Sequence, residues 1–479
     1  MLCISITEKS TEKIIEAINS DTYGDLYEIR YDLADNLDLK KILSAVKKPL
    51  LITNRKKDEG GNFSGTESER ISVLKEAIKL GADYIDIEFS SGKQAIEELK
   101  KLKGRTKIIL SYHNFKEIPE NLDAIYSQLE KEKCGIIKIV TFANSINDNL
   151  KIFNLLERHK AKKNLIAFCM SECGQISRIL GLIKGSLMTY ASISEGKESA
   201  PGQITAKALK EIYKADKLNS QTRIFGLVGN PVSESKGYLI HNKCFQKMSM
   251  NNVYVNFLVD DAKSFFKGYK GFFSGLSVTM PHKREVMKYL DEIDNSAKKL
   301  SAVNTIIVKN GKLIGYNTDV YGAIHAIKDK TEIMGKTVLM LGAGGVARAI
   351  AYGIIEEKGN LFVTDIDGKK AGEFCREFNC KYVQIADRKN IKCDIFINAT
   401  PVGMFPNINA SPIEEDFLKK EMIVFDVVYN PRETKLLETA KKRGCKVVYG
   451  QDMFIYQAVK QFELWTGKAP VELMRKIFK

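Results

Sequence analysis

Residues 136–142 read IIKIVTF, an almost unbroken apolar run with one lysine, Lys138, set inside it. A strand with one wet face alternates apolar and polar residues, whereas a run apolar at successive positions belongs to a parallel strand covered on both faces. Seven comparable runs accompany it: CISI (3–6), LYEIRY (26–31), PLLITN (49–54), YIDIEF (84–89), KIILSY (107–112), LIAFCM (165–170) and LMTYASI (187–193). Polar, helix-like stretches separate them. Eight strands alternating with helices within about 200 residues predict an α/β architecture that opens with a closed (β/α)8 barrel. Polar residues break the runs near their C-terminal ends, where barrels of this kind build their active sites.

Composition narrows the function classes. Among 479 residues, 44% are apolar and 28% charged, which excludes a disordered chain or a disulfide-stapled miniprotein. Lys plus Arg is 74 against 59 for Asp plus Glu, but the +15 excess is scattered and forms no basic block, so no nucleic-acid partner is expected. Such a surface attracts small carboxylates. Nine cysteines without a C-x-x-C pair, and five histidines, give a zinc framework little to work with, and no metal is expected. Reduced thiols, no visible signal peptide and no membrane span together predict a cytoplasmic protein. The longest apolar stretch, VLMLGAGGVARAIAYGII, contains Arg348 and several glycines and reads as strand, turn and helix.

Past the barrel, KADKLNSQTR (214–223) reads as a linker, and a new set of strands begins at IFGLVGNPV. Asn310-Gly311 between two apolar runs predicts a two-residue hairpin. From 336, KTVLMLGAGGVARAIAYGII followed by LFVTD, CDIFINAT and MIVFDVVY predicts a Rossmann dinucleotide-binding domain. The expected organisation is therefore a barrel at 1–213, a linker at 214–223, a substrate-binding domain at 224–325, the Rossmann domain at 326–453, and helices at 454–479 packing back on the substrate domain.

The chemistry of the first half centres on Lys138. A lysine inside an apolar parallel strand faces desolvation, which disfavours the ammonium and frees the amine as a nucleophile. His113 ends the neighbouring run, within reach of the same mouth. Glu28, Arg30, Arg55, Glu59, Arg178, Ser199 and Gln203 accumulate on that rim, where arginines suit a carboxylate and hydroxyls or amides suit sugar-like hydroxyls. The segments EIR, TNR with EGG, SYH, the strand lysine, ISR and SAPGQ resemble type I 3-dehydroquinate dehydratase over nearly all of residues 1–212. The resemblance implies a Schiff base between Lys138 and a substrate ketone, His113 as the base oriented by Glu59, and substrate contacts from Ser5, Glu28, Arg30, Arg55, Arg178, Ser199 and Gln203.

In the second half, GNPVSESKGYLIHN, SVTMPHKREV, AVNT, GYNTD, GAGGVAR, NATPVGM, FDVVY and GQDMFIYQA resemble shikimate dehydrogenase, over about residues 223–479. The resemblance implies Lys283 and Asp319 as the catalytic pair and Ser235, Thr279, Asn304, Tyr429 and Gln457 as substrate contacts. The turn Gly342-Ala343-Gly344-Gly345-Val346-Ala347 is G-x-G-x-x-A between a strand and a helix, the context in which backbone N–H groups approach a pyrophosphate. Asn398, Thr400, Val427 and Gly450 complete the implied cofactor contacts. Asp365 ends the next strand, and an acid there takes a ribose hydroxyl and repels a 2′-phosphate. NADP(H) is the family default, but Asp365-Ile366-Asp367 replaces the usual arginine-bearing segment, so NAD(H) is favoured. Gly237 replaces a second substrate serine, which loses a hydroxyl and leaves room. Together these readings predict a bifunctional enzyme that dehydrates 3-dehydroquinate and reduces the product to shikimate. The rivals are a quinate or shikimate dehydrogenase of catabolism, and a catalytically dead sensor, which should have lost Lys138, His113, Lys283 or Asp319.

Overall fold

The computed structural model describes residues 1–34 and 36–478; Asp35 and Lys479, which fall in the first and last expected segments, lie outside the described residues. The chain divides into two compact units, Met1–Phe273 and Ser274–Lys479.

In the first unit, strands β1 (Leu2–Ile6), β2 (Leu26–Arg30), β3 (Leu50–Thr53), β4 (Tyr84–Glu88), β5 (Lys107–His113), β6 (Gly135–Phe142), β7 (Leu165–Met170) and β8 (Thr189–Ser192) form one curled parallel sheet. Each of β1 to β6 pairs with the next, and β8 returns to β1 with Cys3 opposite Tyr190. Every residue of β1, β2, β3, β4, β7 and β8 is buried, which is why these runs are apolar at successive positions. The seam between β7 and β8 closes differently. Leu187 N–H donates to Leu165 O (2.8 Å) at the strand starts. Farther along, the buried Arg178 bridges the seam, its guanidinium 4.5 Å from the Phe168 ring and its Nη1 donating to Tyr190 O (3.4 Å). A short β9 (Ile204–Thr205) extends the sheet beyond β8.

The same unit continues into β10 (Arg223–Gly229) and β11 (Asn252–Leu258), a parallel pair joined by the helix Gly237–Lys247. These elements pack on the barrel. The Tyr269 hydroxyl donates to Ile146 O (2.7 Å), the Phe272 ring lies 5.3 Å from Phe153, and Gln246 Nε2 donates to Ile212 O (2.7 Å). The segment expected as one substrate domain, 224–325, spans this division, and Tyr269 and Phe272 in its first part touch the barrel.

The second unit begins with β12 (Gly275–Val278) and β13 (Glu292–Ile293), then β14 (Thr305–Lys309) and β15 (Lys312–Tyr316). β12, β14 and β15 are antiparallel neighbours. Asn310 (φ 52°) and Gly311 (φ 76°) form the two-residue turn between β14 and β15; positive φ at both positions is the geometry that matches strand twist. Six parallel strands follow: β16 (Thr337–Leu341), β17 (Asn360–Thr364), β18 (Lys381–Tyr382), β19 (Ile395–Asn398), β20 (Ile423–Asp426) and β21 (Lys446–Tyr449). Their spatial order, β18-β17-β16-β19-β20-β21, is that of a doubly wound dinucleotide domain, with its switch point between β16 and β19. The C-terminal helix Gly450–Thr466 packs along the helix Asp319–Lys328 and ties to β14 through Trp465 Nε1, which donates to Ile306 O (3.0 Å). Among the described residues, no helix is long and apolar enough to cross a membrane.

Candidate active sites

All ten residues singled out in the first half, Ser5, Glu28, Arg30, Arg55, Glu59, His113, Lys138, Arg178, Ser199 and Gln203, line one cavity in the barrel. Strand parity puts them there. Lys138 and Val140 of β6 both face the cavity, as do Glu28 and Arg30 of β2, because residues two apart share a face. Lys138 is only 4% exposed, and its Nζ donates to Asp86 Oδ2 at 3.0 Å, with Glu28 Oε1 at 3.9 Å. The buried lysine thus faces a buried carboxylate that the sequence reading passed over.

Asp86 is the hub of this network. Its other oxygen meets Arg55 Nη2 at 2.8 Å and the Ser111 hydroxyl at 2.6 Å, while Arg55 Nη1 reaches Glu88 Oε1 at 3.1 Å. Burial alone would raise the Asp86 carboxyl, but Arg55 and Lys138 outweigh it and hold the group far below the usual carboxylate range. Asp86 stays ionised and cannot serve as a base. His113 can. Burial, then the charges of Arg55 and Lys138, hold its imidazole well below the usual histidine value, so it is neutral. Glu59 Oε2 lies 3.0 Å from His113 Nδ1 and also accepts the His113 backbone N–H (3.2 Å), which fixes the ring. Burial raises the Glu59 carboxyl, against the pull of Ser90 and Arg55.

Glu28 accepts from the Ser5 (2.7 Å) and Thr53 (2.9 Å) hydroxyls, Arg30 is held bidentately by Asp32, and Ser199 N–H donates to Gln203 Oε1 (2.7 Å). Arg178 differs from all of these. It is fully buried, its Nε has no partner, no carboxylate pairs with it among the described residues, and burial lowers it to about 10. A buried cation without a counter-ion is costly, so this guanidinium is prepared for an anion from outside. The cavity thus combines a primary amine, a neutral imidazole and an uncommitted guanidinium. That set can condense with a ketone, remove an adjacent proton and hold a carboxylate.

In the second unit, Lys283 Nζ donates to Asp319 Oδ2 (2.7 Å), Asn304 Nδ2 donates to Asp319 Oδ1 (2.9 Å), and Asn304 Oδ1 accepts from Thr318 N–H (2.8 Å). The Thr318 hydroxyl reaches Gln457 Oε1 at 3.5 Å. Four of the candidates, Lys283, Asn304, Asp319 and Gln457, therefore lie on one hydrogen-bonded chain. Thr279, after β12, and Tyr429, 49% exposed with its ring 5.9 Å from Phe454, lie outside that chain. Ser235 belongs to the first unit, where its hydroxyl accepts the Gly237 N–H (3.4 Å). Gly237 does not leave the room expected of it. A Cβ there would sit 3.3 Å from the Tyr254 hydroxyl and 3.6 Å from Ser235 Oγ, so a phenol already fills the space.

The glycine turn meets the geometric demands of a dinucleotide. Gly342 has φ 110°, and a Cβ there would come within 2.8 Å of Ala399 O. A Cβ on Gly344 or Gly345 would meet nothing within 4 Å, so the backbone at the start of the twelve-residue helix Gly345–Glu356 is open to a pyrophosphate. Ala343 N–H donates to Asp365 Oδ2 (2.9 Å), and Asp367 N–H to Asp365 Oδ1 (3.1 Å). Asp365 thus braces the turn, with carboxylate lone pairs still open to ribose hydroxyls. Lys369 and Lys370 are exposed and pair with no carboxylate among the described residues. Asn398 Oδ1 accepts from the Thr400 hydroxyl (2.6 Å), and its Nδ2 donates to Asp426 Oδ1 (3.0 Å); burial raises the Asp426 carboxyl to about 6. Val427 N–H donates to Asn398 O, and Gly450 has no space for a side chain, since a Cβ would meet Val427 O at 2.4 Å. Val346 is partly exposed beside the turn, and Ala347 is buried under it. No cluster of three metal-ligating side chains occurs among the described residues.

Sequence reasoning missed Asp86, Tyr190 and Asp426. The signal for Asp86 was present: like Lys138, it interrupts an apolar run at an inward position.

Comparison with known proteins accounts for nearly the whole chain. Residues 2–220 match the family model for type I 3-dehydroquinase, 227–306 that for the shikimate dehydrogenase substrate binding domain, and 450–477 that for the shikimate 5′-dehydrogenase C-terminal domain. The bifunctional 3-dehydroquinate dehydratase/shikimate dehydrogenase of Arabidopsis thaliana chloroplasts is 37% identical over 507 aligned positions, covering 100% of this chain and 84% of that one. The shikimate biosynthesis protein AroDE of Chlamydia pneumoniae is 31% identical, covering 97% and 95%. Among solved structures, a shikimate dehydrogenase in complex with NADP+ matches with TM-score 0.50 and 38% identity over 54% of this chain and 96% of its own. A quinate dehydrogenase from Corynebacterium glutamicum in complex with NAD matches with TM-score 0.51 and 31% identity over 54% and 98%.

Proposed function

The chain belongs to the family of bifunctional 3-dehydroquinate dehydratases/shikimate dehydrogenases, and on that footing we propose how its residues divide two consecutive steps of the shikimate pathway. The barrel, assigned to 1–213, dehydrates 3-dehydroquinate to 3-dehydroshikimate. After the linker at 214–223, the substrate domain (224–325), Rossmann domain (326–453) and C-terminal helices (454–479) reduce that product to shikimate.

The observation that carries the first assignment is the buried amine of Lys138 beside a neutral His113. The amine attacks the substrate ketone and, with loss of water, forms an iminium, which acidifies the adjacent carbon. His113, fixed by Glu59, removes that proton to give an enamine, then returns a proton to the departing hydroxyl, which leaves as water. A second water hydrolyses the iminium and frees Lys138. Arg178 holds the substrate carboxylate, while Ser5, Glu28, Arg30, Arg55, Ser199 and Gln203 line the rest of the pocket.

For reduction, Lys283 gives its Nζ proton to the ketone oxygen, and Asp319 orients the lysine and balances its charge. Ser235, Thr279, Asn304, Tyr429 and Gln457 bind the substrate. The nicotinamide dinucleotide, when bound, supplies the hydride. The backbone of Gly342–Ala347 would hold its pyrophosphate, Asp365 its ribose hydroxyls, and Asn398, Thr400, Val427 and Gly450 would complete the contacts with it. NAD(H) serves at least as well as NADP(H), because Asp365 and Asp367, with no arginine between them, are the residues expected beside a 2′-phosphate. Repulsion of that kind disfavours NADP(H) by about 1–3 kcal/mol. The loss of a second serine hydroxyl at Gly237, without any gain of room, supports a second reading, oxidation of quinate or shikimate. Nine free cysteines support a reducing, cytoplasmic setting.

Borohydride with 3-dehydroshikimate tests the barrel assignment. A covalent adduct located on the Lys138 peptide is expected, and an adduct on another lysine would overturn it. For the cofactor, kcat/KM with NADH and NADPH decides: a strong NADPH preference left unchanged by Asp365→Ala would refute both the preference and the residue.

A further inference from the structure

The cation at Lys138 Nζ is held from two sides. On one side Asp86 Oδ2 accepts its hydrogen bond at 3.0 Å; on the other, the Tyr190 ring of β8 presents its face, with the centroid 4.2 Å from Nζ. Tyr190 is 3% exposed, its hydroxyl has no partner among the described residues, and its ring is braced by Phe168 of β7 at 5.7 Å. Neither residue is needed to bind substrate by the reading above, yet both converge on the same nitrogen.

We infer that Asp86 and Tyr190 are positioning residues for dehydration, a carboxylate-and-ring cradle that keeps the Lys138 nitrogen in place and stabilises it in its cationic states, the resting ammonium and the protonated Schiff base. The inference rests on the Schiff-base assignment of Lys138. The iminium nitrogen carries one hydrogen after its bonds to the lysine Cε and the substrate carbon, and that hydrogen can still be donated to Asp86. An aromatic face attracts a cation through its quadrupole, and more strongly when the cation is buried, as the 4%-exposed Lys138 is. Asp86 cannot neutralise the lysine by taking its proton, because Arg55 and the Ser111 hydroxyl also hold its charge. It acts as a fixed counter-charge.

Other groups also face this nitrogen. Glu28 of β2 adds negative charge at 3.9 Å, and Glu88 of β4 is paired to Arg55. Arg55, just after β3, and Arg30 of β2 add positive charge, Arg178 adds more from the seam, and His113 of β5 and Cys3 of β1 are neutral, both through burial first. Removing the Tyr190 ring changes none of these charges, which makes Tyr190 the cleaner of the two to test.

The experiment compares wild type, Tyr190→Phe and Tyr190→Leu in the full chain. For each, the rate at which cyanoborohydride traps the 3-dehydroshikimate adduct is measured against pH, together with kcat and KM for dehydration; the reductase rate of the same sample is the folding control. In Tyr190→Leu the ammonium loses support, so the rising limb of trapping moves to lower pH by about 0.5–1 unit, and kcat falls about 3–30-fold with a smaller change in KM. Tyr190→Phe keeps the ring, and its limb stays with wild type. Asp86→Asn, where it folds, moves the limb in the same direction and farther. A Tyr190→Leu profile that loses amplitude without moving would reduce Tyr190 to packing. A Tyr190→Phe profile shifted as far as that of Tyr190→Leu would assign the effect to the hydroxyl instead of the ring. Either result overturns the cradle. Absence of any adduct on Lys138 in wild type would instead overturn the Schiff-base assignment beneath it.

Discussion

Lys138 and Lys283 each donate to an aspartate, at 3.0 and 2.7 Å, but the two pairs live in different solvents. The Lys138 and Asp86 side chains are 5% and 0% exposed; those of Lys283 and Asp319 are 30% and 15% exposed. The barrel pair is locked into a charge network that is complete before any substrate arrives, with Arg55 and Glu88 closing it. The dehydrogenase pair is half open, so water screens it until ligands displace that water and strengthen it. One short ion pair thus has two uses. On the proposed assignment, in the barrel it keeps a future covalent centre in register, and in the dehydrogenase it holds a proton donor in readiness.

The largest expected effect tests whether the two pairs work independently. Lys138→Ala removes the nucleophile and should lower dehydration by more than about 10⁴-fold, with reduction of added 3-dehydroshikimate continuing. Loss of both activities would break the comparison. Lys283→Ala should lower reduction about 10²–10⁴-fold, the range of a general acid, with a much smaller change in KM. Near-normal turnover with badly weakened binding would make Lys283 a substrate clamp.

Solvation separates the partner aspartates by stability as well. Asp86→Asn removes the carboxylate that Lys138 and Arg55 share, leaving two buried cations short of a counter-charge, and should cost about 3–5 kcal/mol, whereas Asp319→Asn should cost at most about 1 kcal/mol. Thermal unfolding of the two variants checks this, and equal losses would show that burial is not what distinguishes the pairs. Acid acts in the same sense. Because burial and the nearby Arg55 and Lys138 charges keep folded His113 neutral well below its ordinary value, the unfolded chain binds the extra proton first as pH falls below about 6.5. Stability of the first unit should therefore decline with acid from that point, and His113→Gln should flatten the decline.

The order of β1 to β8 was legible in the apolar runs, because a strand covered on both faces has few other ways to be written. The inward residues of β2 and β6 were legible by the same route, as single polar interruptions. Asp86 carried that signal too, but its meaning depends on which cation faces it across the barrel, and parity within one strand does not supply that. Tyr190 carried no signal at all, since an aromatic residue in a buried strand reads as packing. The division after Phe273 was equally hidden: Tyr269 and Phe272 look like the core of their own segment until the barrel surface they cover is known. Gly237 was read as space, and only the position of the Tyr254 hydroxyl shows the space to be filled. Hence the smallest prediction. Gly237→Ser should change the quinate-to-shikimate ratio of kcat/KM by less than about tenfold, since the new side chain has to push Tyr254 aside before it can reach a substrate.

The central claim is that one chain carries out both steps in sequence, through Lys138 and then Lys283. A coupled assay with 3-dehydroquinate and reduced cofactor, following enone absorbance and cofactor oxidation together, tests it most directly. Wild type should show a transient enone that disappears as cofactor is oxidised; Lys283→Ala should accumulate the enone, and Lys138→Ala should produce neither signal. Cofactor oxidation from 3-dehydroquinate that persists in Lys138→Ala, or a Lys283→Ala enzyme that makes no enone, would contradict it.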